Sequence, residues 1–347
     1  AQMVEDGTID WGMGETLAFG SILLGGQPVR LSGQDSRRGT FGQRHSVIVD
    51  RATGTEYTPL KNLSPDQGKF YVWDSLLSEF AAMGFEYGYS VASPNALVLW
   101  EAQFGDFADG AQTIIDEFVT SGEQKWGQHS GVTLLLPHGY EGQGPDHSSA
   151  RPERFLQMAA QENMTIAMPS TPASYFHFLR WQALAPHHKP MVVFTPKSML
   201  RLKAAASRKE DFTNRQLEPV IDDHTVDASK VKSVLLCSGK VTWDLMAARA
   251  ARERDDVAIV RVERLYPLPA DEIIETLARF PDDATFTWVQ EEPENQGAWP
   301  YMLLNLVRHL DRVLDCVSRP PSASPAVGLH SVFEREQAEI VNSAFAR

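Results

Sequence analysis

Between residues 70 and 112 the sequence FYVWDSLLSEFAAMGFEYGYSVASPNALVLWEAQFGDFADGAQ places one carboxylate, Glu79, where a tunable acid could form. The strand-like run Phe70 to Trp73 stops at Asp74-Ser75, either of which can cap a helix, and Leu76, Phe80, Met83 and Tyr87 then recur at helical spacing. Glu79 falls in the first turn or two, between Phe80 and Met83 on the flank of the apolar stripe, so partial burial is expected. Burial disfavours the charged form, and a carboxyl group so placed can hold a proton for part of a reaction cycle. A helix macrodipole also favours any acid in a first turn, and Glu86 lies on the same flank, so position alone leaves both readings open.

Two strand ends supply the other candidates. The apolar run Ala96 to Trp100 leads into Glu101-Ala102-Gln103-Phe104-Gly105-Asp106-Phe107, where the rings of Phe104 and Phe107 could pack in a core or form a wall for a flat ligand. The run Val132 to Leu136 empties into a loop from Pro137 to Ser149 that holds three glycines, two prolines and two histidines, His138 and His147. Ligands collect beyond the carboxyl ends of parallel strands, so this loop reads as part of a shaped site. The spacing of the two histidines and the lack of a third ligand argue against a metal. A hydrogen-bonded structural role fits His138. A third loop, Ser32 to His45, carries Asp35, Arg37, Arg38, Arg44 and His45 and is too charged to be core. It reads either as a solvated loop held by ion pairs or, through Arg37, Arg38, His45 and His138, as a substrate or subunit contact.

The stretches LSGQDSRRGTFGQRH, WEAQFGDFADGAQ, LLPHGYEGQGPDHSSAR, FTPKSMLR, WVQEEPENQGAW and RPPSASPAVG span nearly the whole chain. In them the sequence resembles the carboxyl-terminal part of the thiamine diphosphate-dependent first component of the bacterial 2-oxoglutarate dehydrogenase complex. The resemblance implies decarboxylation of 2-oxoglutarate on thiamine diphosphate and transfer of a succinyl group to the lipoyl carrier of a dihydrolipoyl succinyltransferase. It assigns Glu79 to the aminopyrimidine ring nitrogen, His147 to active-site acid–base work, and Gln103, Phe104 and Phe107 to cofactor binding alongside Glu79. Members of that family hold magnesium and the diphosphate through a Gly-Asp-Gly stretch and a following asparagine, an arrangement this sequence does not contain. The expected metal set here is therefore none. Magnesium, the diphosphate grip and the residues that select the keto acid are expected from an upstream domain or a partner subunit, with a homodimer completing the site. A relative acting on 2-oxoadipate or pyruvate, or a non-catalytic assembly module, would share these features.

The elements that must position these residues read as α/β, with two open, mainly parallel sheets covered by helices. Residues 10 to 24 form a helix capped by Asp10. Strand and helix signals then alternate from 28 to 205, so residues 1–205 make one α/β domain, which the resemblance implies is pyrimidine-binding. Residues 206–230 lack an apolar pattern and read as a linker, and the pattern restarts at Val234 to give a smaller carboxyl-terminal domain over 231–347. The acidic run Glu291-Glu292-Pro293-Glu294 reads as a solvated strand end, and residues 318–328 as a proline-rich crossing segment. At 347 residues with 43% hydrophobic and 22% charged content, the chain can build two cores. A net charge of −13 without a basic stripe argues against nucleic acid and anionic membranes. The lone thiols Cys237 and Cys316 suit a reducing compartment, the cytoplasm or, in a eukaryote, the mitochondrial matrix. The opening residues read like the interior of a longer polypeptide.

Overall fold

A computed structural model of the chain describes residues 7–346, and residues 1–6 and 347 lie outside it. The chain folds as two compact units, each discontinuous in sequence. The first runs to Pro137 and takes in Asn163–Thr165 and Thr171–Leu217; the second holds His138–Glu162, Ile166–Ser170 and everything from Glu218 onward.

In the first unit, helix α1 (Trp11–Leu24) starts where Asp10 accepts a hydrogen bond from the Met13 amide at 2.8 Å, as the capping signal predicts. Strands β1 (Val29–Gly33), β2 (Phe70–Asp74), β3 (Leu97–Glu101), β4 (Val132–Pro137) and β5 (Met191–Thr195) pair in the order β2-β1-β3-β4-β5, all parallel. Strands β3, β4 and β5 are buried at every position, which is why they read as unbroken apolar runs rather than as alternation. Helix α2 (Glu79–Ala92) follows β2, and α3 (Pro172–Leu184) packs on α1, with Trp11 and Tyr175 stacked at 5.0 Å. A side chain at Gly14 would come within 3.2 Å of Pro172, so glycine there lets the two helices close.

The second unit has its own sheet. Strands β6 (Val220–Ile221), β7 (Ser233–Cys237), β8 (Val257–Val262), β9 (Thr285–Pro293) and β10 (Leu314–Arg319) order as β6-β8-β7-β9-β10. All pairs are parallel except that of the edge strand β6. This unit contains helices α4 (Val241–Ala251), α5 (Ala270–Leu277) and α6 (His330–Ala344), of which α4 and α6 close the core around Leu235, Leu245, Ile259, Val289 and Ile340. Only Ile340 and Ala344 of α6 are buried, so its apolar periodicity is faint in the sequence.

Four expectations change. Helix α2 starts at Glu79, not after Asp74-Ser75. Asp74 ends β2 and accepts from the Arg37 amide, and the Ser78 hydroxyl caps the helix instead. The apolar spacing of Ala111, Ile114, Ile115, Phe118 and Val119 reads as one amphipathic helix, but the chain there is broken into a 3-10 segment, Gly105–Ala111, one α turn, Gln112–Ile114, and a π segment, Ile115–Val119. The segment 206–230 is not bare linker: Ser207–Arg208 pairs with Thr8–Ile9, and β6 joins the second sheet. The acidic run at 291–292 is not solvated, because β9 carries it into the interior, where Glu291 and Glu292 are buried.

Candidate active site

In the β2-β1-β3 arrangement the chain leaves β1 to one side and returns on the other, which makes β1/β3 the switch point where open parallel sheets leave a crevice beyond their carboxyl ends. Gly33 marks this place. A Cβ there would lie 2.2 Å from the Glu101 carbonyl oxygen, so only glycine lets the two strand ends come this close. The loops that follow β1, β2 and β3 supply Gln34 and Asp35, Glu79, and Gln103 to Phe107 respectively.

Glu79 is half-buried, and its Oε1 accepts a hydrogen bond from Gln34 Nε2 at 2.8 Å. Gly110 lies opposite; a Cβ there would sit 3.3 Å from Glu79 Oε2, leaving no room for a larger side chain without displacing the carboxylate. Glu86, the rival on the same helix, is buried and bound by Arg30 through two hydrogen bonds, 2.7 and 2.9 Å. It is a structural ion pair.

The phenylalanines are not ordinary core. Phe104 and Phe107 are half-buried and meet edge to face at 6.2 Å, and Phe41 from the loop after β1 meets Phe104 edge to face at 5.3 Å. The buried Lys197 ammonium lies 5.8 Å from the Phe104 ring centre. Gln103 donates to Asp35 at 2.9 Å, tying the β1 and β3 loops together.

The charged loop is held from beneath by a residue that its composition hides. Arg44, expected on the outside, is buried, with its guanidinium between Glu15 (2.6 Å) and Glu101 (2.6 Å) and a further bond to the Ser36 carbonyl at 3.0 Å. Tyr175 donates to Glu15 at 2.9 Å. Burial pushes the Glu101 carboxyl above its ordinary range, with Arg44 opposing that shift, while the paired carboxylates hold the Arg44 charge. The neighbouring loop residues face outward. Arg37 pairs with Glu56 and Arg38 is exposed; His45 is exposed with φ of 44°. Backbone strain of that kind needs a rigid support, and the Arg44 clamp is adjacent.

His138 and His147 belong to the second unit. His147 is half-buried on the loop. His138 is buried, with Nε2 2.7 Å from Glu292 Oε1 and Nδ1 accepting from the Ala150 amide at 3.1 Å. Both of its ring nitrogens are therefore engaged by groups of the second unit. Glu291 pairs with Lys240 at 2.6 Å. Among the described residues no group of three or more histidines, cysteines or carboxylates stands where it could hold a metal ion. Gln34, Lys197 and the Arg44 clamp escaped the reading of the sequence. The order of the parallel strands brings them together, since Gln34 follows β1, Lys197 follows β5 and Arg44 reaches Glu101 at the end of β3, and no local pattern encodes that order.

The fold defines an α/β domain that gathers these strand-end residues at a switch point, followed by a second α/β domain. The pattern of the family described as transketolase, pyrimidine binding domain, matches residues 7–203, and that described as 2-oxoglutarate dehydrogenase C-terminal matches residues 206–345. The chain belongs to the family described as transketolase, pyrimidine binding domain, whose pattern covers more than half of it. It is 54% identical, over 99% of its length, to the multifunctional 2-oxoglutarate metabolism enzyme of Mycolicibacterium vanbaalenii, and equally so to that of Mycobacterium sp. strain KMS. It spans 29% and 28% of those two proteins.

Proposed function

We propose that this chain supplies the pyrimidine-binding half of an enzyme that decarboxylates 2-oxoglutarate on thiamine diphosphate and passes the succinyl group to the lipoyl carrier of a dihydrolipoyl succinyltransferase. A half-buried carboxylate, a ring wall and a glycine at van der Waals distance suit a flat heteroaromatic ring that carries a nitrogen on its edge. They do not suit a diphosphate or magnesium, which are assigned to protein outside this segment. Thiamine diphosphate, when bound, supplies the nucleophilic carbon and the electron sink.

In this reading Glu79 holds and returns a proton at the pyrimidine ring nitrogen, and Gln34 fixes the orientation of its carboxylate. Phe104 and Phe107 pack against the ring and keep water from it, and Gln103 holds the β3 loop in register with Asp35. His147 donates a hydrogen bond to a substrate oxygen. The choice of 2-oxoglutarate over other keto acids rests on the names of the relatives. Exposed Trp73, Leu76, Leu77 and Phe80, which flank Glu79 in sequence, support a homodimer that covers them.

One observation carries the proposal: of the two acids on α2, Glu86 is neutralised by an arginine, whereas Glu79 meets the neutral amide of Gln34 at the switch point. In the complete polypeptide, Glu79→Gln should lower 2-oxoglutarate turnover by about 10²- to 10⁴-fold while the melting temperature holds. Near-normal turnover would take Glu79 out of the mechanism.

A further inference from the structure

We propose that Glu292 and His138 are positioning residues that fix His147 from the second unit, an inference that rests on the active-site role given to His147 above. A backbone amide can only donate, so the Ala150 N–H bond to His138 Nδ1 requires the lone pair on that nitrogen. The ring proton is therefore on Nε2, where it is donated to Glu292 Oε1 at 2.7 Å. Glu292 thereby sets the tautomer, and the tautomer sets which end of the loop His138 can grip. His138 stands at the start of the loop and Ala150 at its end, so the imidazole bridges the two roots of the segment that carries His147.

The rest of the loop is fixed to the same unit. The Gly139 amide bonds the Ser148 carbonyl at 2.9 Å, and the Ser148 hydroxyl bonds the Gly144 carbonyl at 2.7 Å. At the crest, Gly142 has φ of 71°, and a Cβ there would lie 2.6 Å from the His330 ring and 3.1 Å from Phe333, so the loop lies directly on α6. Tyr140 is buried beneath the Arg319 guanidinium, 5.0 Å from the ring centre, and Arg319 is held in turn by Glu336 and Gln337. A buried carboxylate is costly unless paired. Glu292 is paired with the histidine that closes the loop, and His138 holds its carboxyl below the ordinary range against the opposing effect of burial.

The test has two arms. In the chain labelled with ¹⁵N at histidine, the His138 resonances, assigned by their loss in His138→Gln, should show the Nε2–H tautomer. An Nδ1–H form or a doubly protonated ring near neutral pH would overturn the proposal. The His147 resonances should shift in Glu292→Leu and stay in place in Glu292→Gln, which keeps an acceptor for Nε2–H. In the complete polypeptide Glu292→Gln should keep kcat within about threefold, and Glu292→Leu should lose about 10²-fold in kcat at little change in KM or cofactor affinity, as displacement of a reacting group would. Adding His147→Ala to Glu292→Leu should cost nothing more. Additive losses, or full activity in Glu292→Leu, would overturn it. Should Glu292→Leu fail to fold, the wild-type tautomer and a Glu292→Gln loss as large as that of His147→Ala each remain able to refute it. A polypeptide with no thiamine-dependent turnover but with the Nε2–H tautomer would remove the proposed function and leave this local arrangement standing.

Discussion

Arg44 shows how a single side chain can be misread from its neighbours. Its loop is among the most polar stretches of the first unit, yet its guanidinium sits in the interior between two carboxylates, with Tyr175 behind one of them. Removing one partner of a buried charge network strands the others. Arg44→Met should therefore cost about 3–5 kcal/mol in urea denaturation, and a loss well under 1 kcal/mol would mean that the clamp contributes little. The sign of its pH dependence follows from Glu101. Burial already holds that carboxyl above its ordinary range, so without Arg44 it would take up a proton readily and relieve part of the stranded charge. The deficit of the variant should thus be smaller near about pH 5 than near about pH 8. At the same scale, Glu79 and Glu86 are indistinguishable by helical position and are separated only by what faces them.

At the scale of elements, the strands were legible and the polar connections were not. The apolar run Val132 to Leu136 reads as a strand buried on both faces, and Asp10 marks a helix start; the structure keeps both. The segment 206–230 looked like linker because its fixed points are charged rather than apolar. Asp223 is buried, accepts from the Ile259 amide at 2.9 Å and pairs with Arg249, so it docks the segment onto β8 and α4. These donors, with Thr225, hold its carboxyl below the ordinary range against burial. Its stabilisation is therefore full above the unfolded-state value of about 3.9 and is lost as pH falls through the lower folded value. Asp223→Asn should lower the melting temperature at neutral pH and flatten the acid decline below about pH 4. Parallel acid profiles for the two proteins would show that Asp223 does not drive that decline.

At the scale of the whole molecule, the first unit exposes an apolar segment that a solvated monomer would not favour. Leu76 and Leu77 are 82% and 85% exposed, and Trp73 and Phe80 about half. The helical spacing through Leu76 and Phe80 suggested a core stripe, but only Met83 and Tyr87 of that series are buried. Replacing both leucines with aspartate should shift the sedimentation of the complete polypeptide from dimer to monomer and reduce turnover. A dimer that persists unchanged would place the interface elsewhere. Among the described residues no helix is long and apolar enough to cross a membrane.

What the sequence determined by itself was the α/β class, the central strands and the loops at their carboxyl ends, because hydrophobic period and capping chemistry act over a few residues. It also carried the family resemblance, written in unbroken stretches. Only the tertiary structure showed what faces Glu79 and Glu86, moved Arg44 and Glu292 inside, and gave His138 its tautomer. Each of those outcomes depends on a partner at least 12 residues away in sequence. A charged side chain has no intrinsic address. Whether it is solvated or buried depends on whether the fold brings a counter-charge to it, and that is settled by strand register rather than by local pattern.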